Sequence, residues 1–183
     1  MFISGGEARG RKIKAPSAKD IRPTSLLIKE AFFEIFREKI AGCYFLDLFA
    51  GFGTMGIEAI SRGAETVFFV DKSKYAISII YENLKSSKLT QKTKVLFSDS
   101  QAALAKRIKE KFDLIYIDPP YDYKEYEKVL ELISEKNILS ENGIAVVEHY
   151  HKTSISGSFK NFEQYRKEKY GQTALTFFKG VNS

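Results

Sequence analysis

Short apolar runs of strand length alternate along this chain with longer segments whose apolar residues recur at helical spacing. The short runs are Tyr44–Phe49, Thr66–Val70, Lys94–Phe97, Phe112–Ile117 and Gly143–Glu148. Between them the spacing predicts helices over roughly 54–62, 73–87, 100–110 and 123–136. Pro23 opens a further helix running to about Lys39, with Leu27, Ile28, Ala31, Phe32, Ile35 and Phe36 on one stripe. Such alternation predicts βαβ units and a parallel sheet. After the fifth run the pattern changes, and 162–169 and 173–178 read as two strands around a tight turn at Tyr170-Gly171. The expected fold is α/β and Rossmann-like: a mostly parallel seven-stranded sheet with a C-terminal antiparallel hairpin.

No repeat, low-complexity tract or linker divides the 183 residues, a length suited to one α/β domain. The N-terminus turns polar after three residues, and no apolar run is long enough to cross a bilayer. A single cysteine, Cys43, excludes an internal disulfide and reads as core. A cytoplasmic protein without membrane contact is expected. His149 and His151 have no cysteine or acid cluster to complete a ligand set, so they read as loop residues and no metal is expected.

Charge is unevenly placed. The formal charge is +6, but residues 1–22 carry six basic residues against Glu7 and Asp20, a net +4. The reading is therefore a basic N-terminal arm, 1–22, ahead of a single domain, 23–183. Arg9, Arg11, Lys12 and Lys14 would suit a phosphate-bearing partner, because each cation near a phosphate releases condensed counterions.

Two segments carry candidate chemistry. The first is Asp47-Leu-Phe-Ala-Gly51-Phe-Gly53-Thr-Met-Gly56, directly after the first strand. Glycines spaced G-x-G-x-x-G between a strand and a helix allow a tight turn and close ligand approach. Asp71, twenty residues beyond Gly51 at the end of strand two, stands where an acid meets a ribose diol. Asp99, ending strand three, would accept from an adenine amino group. A nucleoside cofactor follows. Asp47 would repel a pyrophosphate yet suit an ammonium, so three acids at successive strand ends favour S-adenosylmethionine over NAD.

The second segment is Asp118-Pro119-Pro120-Tyr121 after strand four. Two prolines stop the strand and stiffen the turn, and Asp122 with Glu125 resembles a capping box that would start a helix at once. The turn offers a carboxylate, backbone carbonyls and an aromatic ring. An aromatic exocyclic amine is a poor nucleophile because its lone pair is delocalised. Asp118 and a proline carbonyl would accept its N–H bonds and aim that lone pair, while Tyr121 stacks on the base. The base must be unstacked to reach them.

With these residues in hand, the chain resembles the RsmD-type ribosomal RNA methyltransferases, which modify guanine N2 in bacterial 16S RNA. The resemblance covers nearly the whole chain. It includes Ile3–Ile13, Arg22-Pro23-Thr24 with Lys29-Glu30-Ala-Phe-Phe33, Leu46–Ala64, Val70-Asp71-Lys72, the Asp118–Tyr121 turn and Tyr170-Gly171. It implies a class I S-adenosylmethionine-dependent methyltransferase fold, with Asp47, Phe49, Gly51, Gly53, Gly56, Asp71, Lys72, Asp99 and Ser100 around the cofactor. Asp118, Pro119, Pro120 and Tyr121 would be catalytic, and Arg22 and Thr24 would join the basic arm in binding RNA. The implied target is the guanine at position 966 in the usual small-subunit numbering, in free 16S RNA or an assembling subunit, modified by a monomer. Phe52 departs from the family, which usually has a small residue between the first two glycines. Three other readings stand beside this one. An adenine-N6 DNA methyltransferase normally needs an added target-recognition region, for which 183 residues leave no room. An NAD-dependent oxidoreductase is opposed by Asp47 and the proline turn. A non-enzymatic RNA-binding domain has no reason to hold Asp118 at the sheet edge.

Overall fold

In the computed structural model of the chain a single sheet of seven strands has the order β3-β2-β1-β4-β5-β7-β6. The structure describes residues 1–15, 23–120 and 122–181. Arg22 and Tyr121 lie outside the described residues, as does the side chain of Thr24. The strands β1 (Tyr44–Asp47), β2 (Thr66–Asp71), β3 (Thr93–Phe97), β4 (Phe112–Ile117) and β5 (Leu139–Tyr150) run parallel. The hairpin of β6 (Phe162–Tyr170) and β7 (Thr173–Gly180) joins β5 through β7 in antiparallel register.

The central strands are buried on both sides, as a parallel sheet covered by helices requires. Phe45 and Phe69 join one core with Ile28 and Phe32 of α1 (Pro23–Ile35), Ile57 of α3 (Thr54–Ser61) and Ile80 of α4 (Lys74–Ser86). Leu46 and Phe68 join the other with Leu104 of α5 (Ser100–Lys106) and Ile133 of α6 (Tyr126–Glu135). Chain order runs outward from β1 to β3 and then returns to β4, beside β1. A crevice opens at such a reversal, beyond the carboxyl ends of the strands.

Residues 1–15 fold back on this body. Phe2 bridges Lys12, and Ile3, Ala8 and Ile13 are buried in the first core. Gly6, at φ +78°, lets the turn lie on α3, where a Cβ would meet the Ser61 carbonyl at 1.7 Å. Beneath it Glu58, buried, accepts from Ser4 N–H, Lys29 Nζ (2.9 Å) and Arg62 Nε (2.9 Å). Burial alone would raise the Glu58 carboxyl, but the Ser4 and Lys29 donors hold it below its usual range.

Several boundaries differ from expectation. The helix expected over 23–39 breaks at Phe36, and α2 (Arg37–Ile40) follows separately. α6 starts at Tyr126, not directly after the prolines, and no capping box forms. Glu125 instead accepts from Gln101 Nε2 at 3.0 Å, tying α6 to α5. β5 is twelve residues long, so His149 is a buried strand residue and not a loop one. Its Nε2 lies 2.7 Å from Thr176 Oγ1 and its Nδ1 2.8 Å from the Tyr150 carbonyl. A long β5 is needed because β7 pairs with it from Ile144 to Tyr150. No helix among the described residues is long and apolar enough to cross a membrane.

Candidate active site

The crevice at the β1/β4 reversal is a cavity of about 580 Å³, within the ordinary range for small-molecule sites. One half is lined by the ends of β1, β2 and β3, the other by the ends of β4 and β5.

In the first half the chain is shaped by its glycines and held by its acids. Gly51 (φ +52°) and Gly53 (φ +77°) occupy the left-handed region, which only glycine enters freely. Gly56 is required for space, since a Cβ there would lie 2.2 Å from the buried Phe69 ring. Asp71 pins the loop: its Oδ2 accepts from Gly51 N–H and its Oδ1 from Ser73 N–H, both at 2.8 Å. Each oxygen keeps acceptor capacity for a hydroxyl. Asp99 caps α5 by accepting from Gln101 N–H (3.0 Å) and Ala102 N–H (3.2 Å). Phe49, Gly51, Asp71, Lys72, Asp99 and Ser100 all line the cavity.

Asp47, Gly53 and Gly56 do not line it. Asp47 is buried behind the loop, where its Oδ2 accepts from Gly56 N–H at 3.0 Å. Burial pushes its carboxyl up to about 7; the Asp71 charge adds to this and the Gly56 amide opposes it. The acid thus takes one of the helix-start amides that a bound pyrophosphate would use. Asp47 therefore shapes the loop backbone and does not face the cavity.

A buried hydroxyl marks the cavity wall. Ser100 Oγ makes no hydrogen bond of regular geometry among the described residues, although it lies near enough to the Tyr123 hydroxyl to influence its ionisation. Buried polar atoms normally have partners, so this oxygen is a ready contact for a ligand. Beside it Phe49, Tyr123 and Tyr126 form an edge-to-face row with centroids 5.2 and 5.5 Å apart.

In the second half Asp118 is exposed to the cavity, Pro119 is buried and Pro120 is exposed. The Pro120 carbonyl accepts from Tyr123 N–H at 2.9 Å, which closes the turn. Sequence patterning missed several residues here, among them Tyr116, Tyr126, Glu148 and His149, which all line the cavity. The Tyr116 hydroxyl donates to Glu148 Oε2. A charged residue ending the apolar run Ile144–Val147 was the one available signal for Glu148.

The basic arm meets the site at Met1, which lines the cavity, and through a buried amide. Asn83 Oδ1 accepts from Lys14 N–H (2.7 Å), while its Nδ2 donates to the carbonyls of Lys14 (2.9 Å) and Phe52 (3.0 Å). Phe52 itself turns its ring onto Tyr75, with centroids 5.7 Å apart. All four arm cations are exposed; Lys14 pairs with Glu82 and Arg11 donates to the Ser87 carbonyl.

Comparison with known proteins places the fold and the family. The family model Conserved hypothetical protein 95 matches residues 1–179. The chain is 36% identical over 181 residues to YlbH of Bacillus subtilis (strain 168), covering 98% of each. It is 31% identical over 168 residues to the Ribosomal RNA small subunit methyltransferase D of Buchnera aphidicola subsp. Acyrthosiphon pisum, covering 92% of this chain and 87% of that one. The solved structure of yhhF from Escherichia coli superposes with a TM-score of 0.87 at 25% identity, over 100% of this chain and 99% of that one. The sheet is that of the class I methyltransferases, and the chain belongs to the Conserved hypothetical protein 95 family, that of the RsmD-type methyltransferases.

Proposed function

We propose that this chain is an S-adenosylmethionine-dependent ribosomal RNA methyltransferase acting on the exocyclic N2 of a guanine in the small-subunit RNA, that at position 966. The observation carrying this reading is that Asp118-Pro119-Pro120 opens onto the same cavity as Gly51, Asp71 and Asp99. Relatives bearing the name ribosomal RNA small subunit methyltransferase D support the substrate class.

The residues present fit the cofactor. Asp71 would take the ribose hydroxyls, and Asp99 with Ser100 would take the adenine edge. The open space beside Gly51 would admit the methionine portion. When bound, S-adenosylmethionine supplies an electrophilic methyl group on sulfur. Asp118 accepts one N–H of the guanine amine and the Pro119 carbonyl the other, since Pro120's carbonyl already serves Tyr123 N–H. Fixed by two prolines, these acceptors hold the amine with its lone pair turned to the cofactor half, so the rate gain is chiefly orientation. Asp118, still open to solvent at the cavity mouth, then passes on the proton released when the N–C bond forms. Tyr121 would stack on the base, which enters unstacked.

Exposed Arg9 and Lys12, with Arg11, Lys14, Arg22 and Thr24, would carry RNA phosphates; such contacts position the substrate without reading sequence. On this reading the chain acts as a monomer in the cytoplasm, on ribosomal RNA that is free or in an assembling subunit. The test is methyl transfer in vitro to small-subunit RNA, free and partly assembled, followed by nucleoside mass analysis. N2-methylguanosine is expected; N6-methyladenosine or no product would overturn the reading.

A further inference from the structure

Tyr116 and Glu148 line the same cavity as Asp118, yet neither has a part in holding the cofactor or in the amine geometry above. Parallel register pairs Ile117 with Val147, so Asp118 and Glu148 stand one residue further along neighbouring strands. Tyr116 precedes Asp118 by two, and side chains two apart on a strand share a face. Its hydroxyl donates to Glu148 Oε2. Tyr116 is buried, and burial, with the charges of Glu148 and Asp118 added, pushes its ionisation well above the ordinary value. The phenol is therefore a permanent donor that sets the orientation of the Glu148 carboxylate, whose oxygens accept more than one bond each.

We propose that Glu148, oriented by Tyr116, reads the Watson–Crick edge of the target base by accepting the N1–H of a guanine whose 2-amino group lies at Asp118. The inference rests on the guanine-N2 reading given above. Among the four bases guanine alone presents an exocyclic amine beside a ring N–H. The carboxylates of Asp118, just past β4, and of Glu148, its register neighbour on β5, match that pair of adjacent donors. Adenine and cytosine carry a ring lone pair next to their amines, and a carboxylate facing it repels. The Asp-Pro-Pro turn positions any aromatic amine; Glu148 adds the element that rejects the wrong ones.

The experiment compares small-subunit RNA carrying guanine or 2-aminopurine at the target position, presented free and in partly assembled subunits. 2-Aminopurine keeps the 2-amino group but replaces N1–H with a lone pair. The parent enzyme should prefer guanine by about a hundredfold or more in kcat/KM, since sites built to bond a donor reject analogues lacking it. Glu148→Gln offers an amide N–H to that lone pair, so the preference should shrink below roughly tenfold. Cofactor affinity and the melting midpoint should stay at parental values. An equal loss on both bases, leaving the ratio unchanged, would make Glu148 merely structural and overturn the proposal alone. Should Glu148→Gln not fold, Tyr116→Phe decides: a narrowed ratio supports the reader, an unchanged one overturns it. A parent enzyme that methylates neither RNA, or an adenine instead, overturns the guanine-N2 reading and this proposal with it.

Discussion

The two halves of the cavity are built by different means. At the ends of β1, β2 and β3 every predicted acid is bound by backbone amides of its own neighbourhood: Asp47 by Gly56, Asp71 by Gly51 and Ser73, Asp99 by Gln101 and Ala102. At the ends of β4 and β5 the groups are set by a proline turn and by a bond across strands, from Tyr116 to Glu148. The first half is a preformed cradle whose carboxylates all serve the scaffold, while only Asp71 and Asp99 also face the cavity. In the second, on the proposed reading, catalysis is chiefly orientation, and side chains from distant parts of the chain must meet.

The contrast predicts opposite responses to mutation. Asp118→Ala should leave cofactor affinity near that of the parent and reduce single-turnover methyl transfer about a thousandfold or more, comparable to losing a key oriented hydrogen bond in other active sites. A near-normal rate would break the division between the halves. Asp71→Ala should do the reverse first. Losing charge-assisted hydrogen bonds costs ~1.5–3 kcal/mol each, so calorimetry should show cofactor affinity down at least about tenfold. Because Asp71 also holds Gly51 and Ser73, the unfolding midpoint in urea should fall too. Unchanged affinity in a folded variant would remove Asp71 from the cofactor site.

The same contrast explains what is legible in the sequence. Three glycines, an acid at a strand end and two prolines act on backbone within a few residues of themselves. Their turn, cap and strand stop can therefore be placed from the order of residues alone. Gly53 at φ +77° and Asp99 capping α5 are of this kind. Glu148 is not: it joins the site only because β5 pairs with β4 one residue short of it, a contact across some thirty residues of chain. His149 reads as loop for the same reason, since the antiparallel pairing with β7 that extends β5 leaves no local mark. The helix expected directly after the prolines does not form there because Glu125 bonds Gln101 on another helix rather than capping its own.

A smaller effect tests whether Asp47 is part of the scaffold. Its carboxyl sits at about 7, above the ordinary 3.8, so the folded protein keeps a proton that the unfolded chain has lost. Stability should therefore fall as pH rises from about 4 to about 7. Asp47→Asn removes that titration, and its stability relative to the parent should rise by at least about 1 kcal/mol across this window, read from urea unfolding at several pH values. A constant difference between variant and parent would show that Asp47 titrates normally.

The mildest change is expected outside the cavity. All four arm cations are exposed, but Arg11 and Lys14 already bond to protein acceptors. Arg9→Ala with Lys12→Ala should lower the log–log salt slope of RNA binding by about one unit per phosphate contact, by analogy with duplex DNA. Cofactor affinity and the rate at saturating RNA should be unchanged. An unaltered slope would place the RNA contacts elsewhere on the molecule.

Mass analysis of small-subunit RNA from a strain lacking this chain addresses the central claim most directly. Loss of one methyl group from a single guanine is expected, restored by the parent chain and not by Asp118→Ala. Small-subunit RNA that keeps all its methylguanosines, or loses its methyl group from an adenine, would contradict the account.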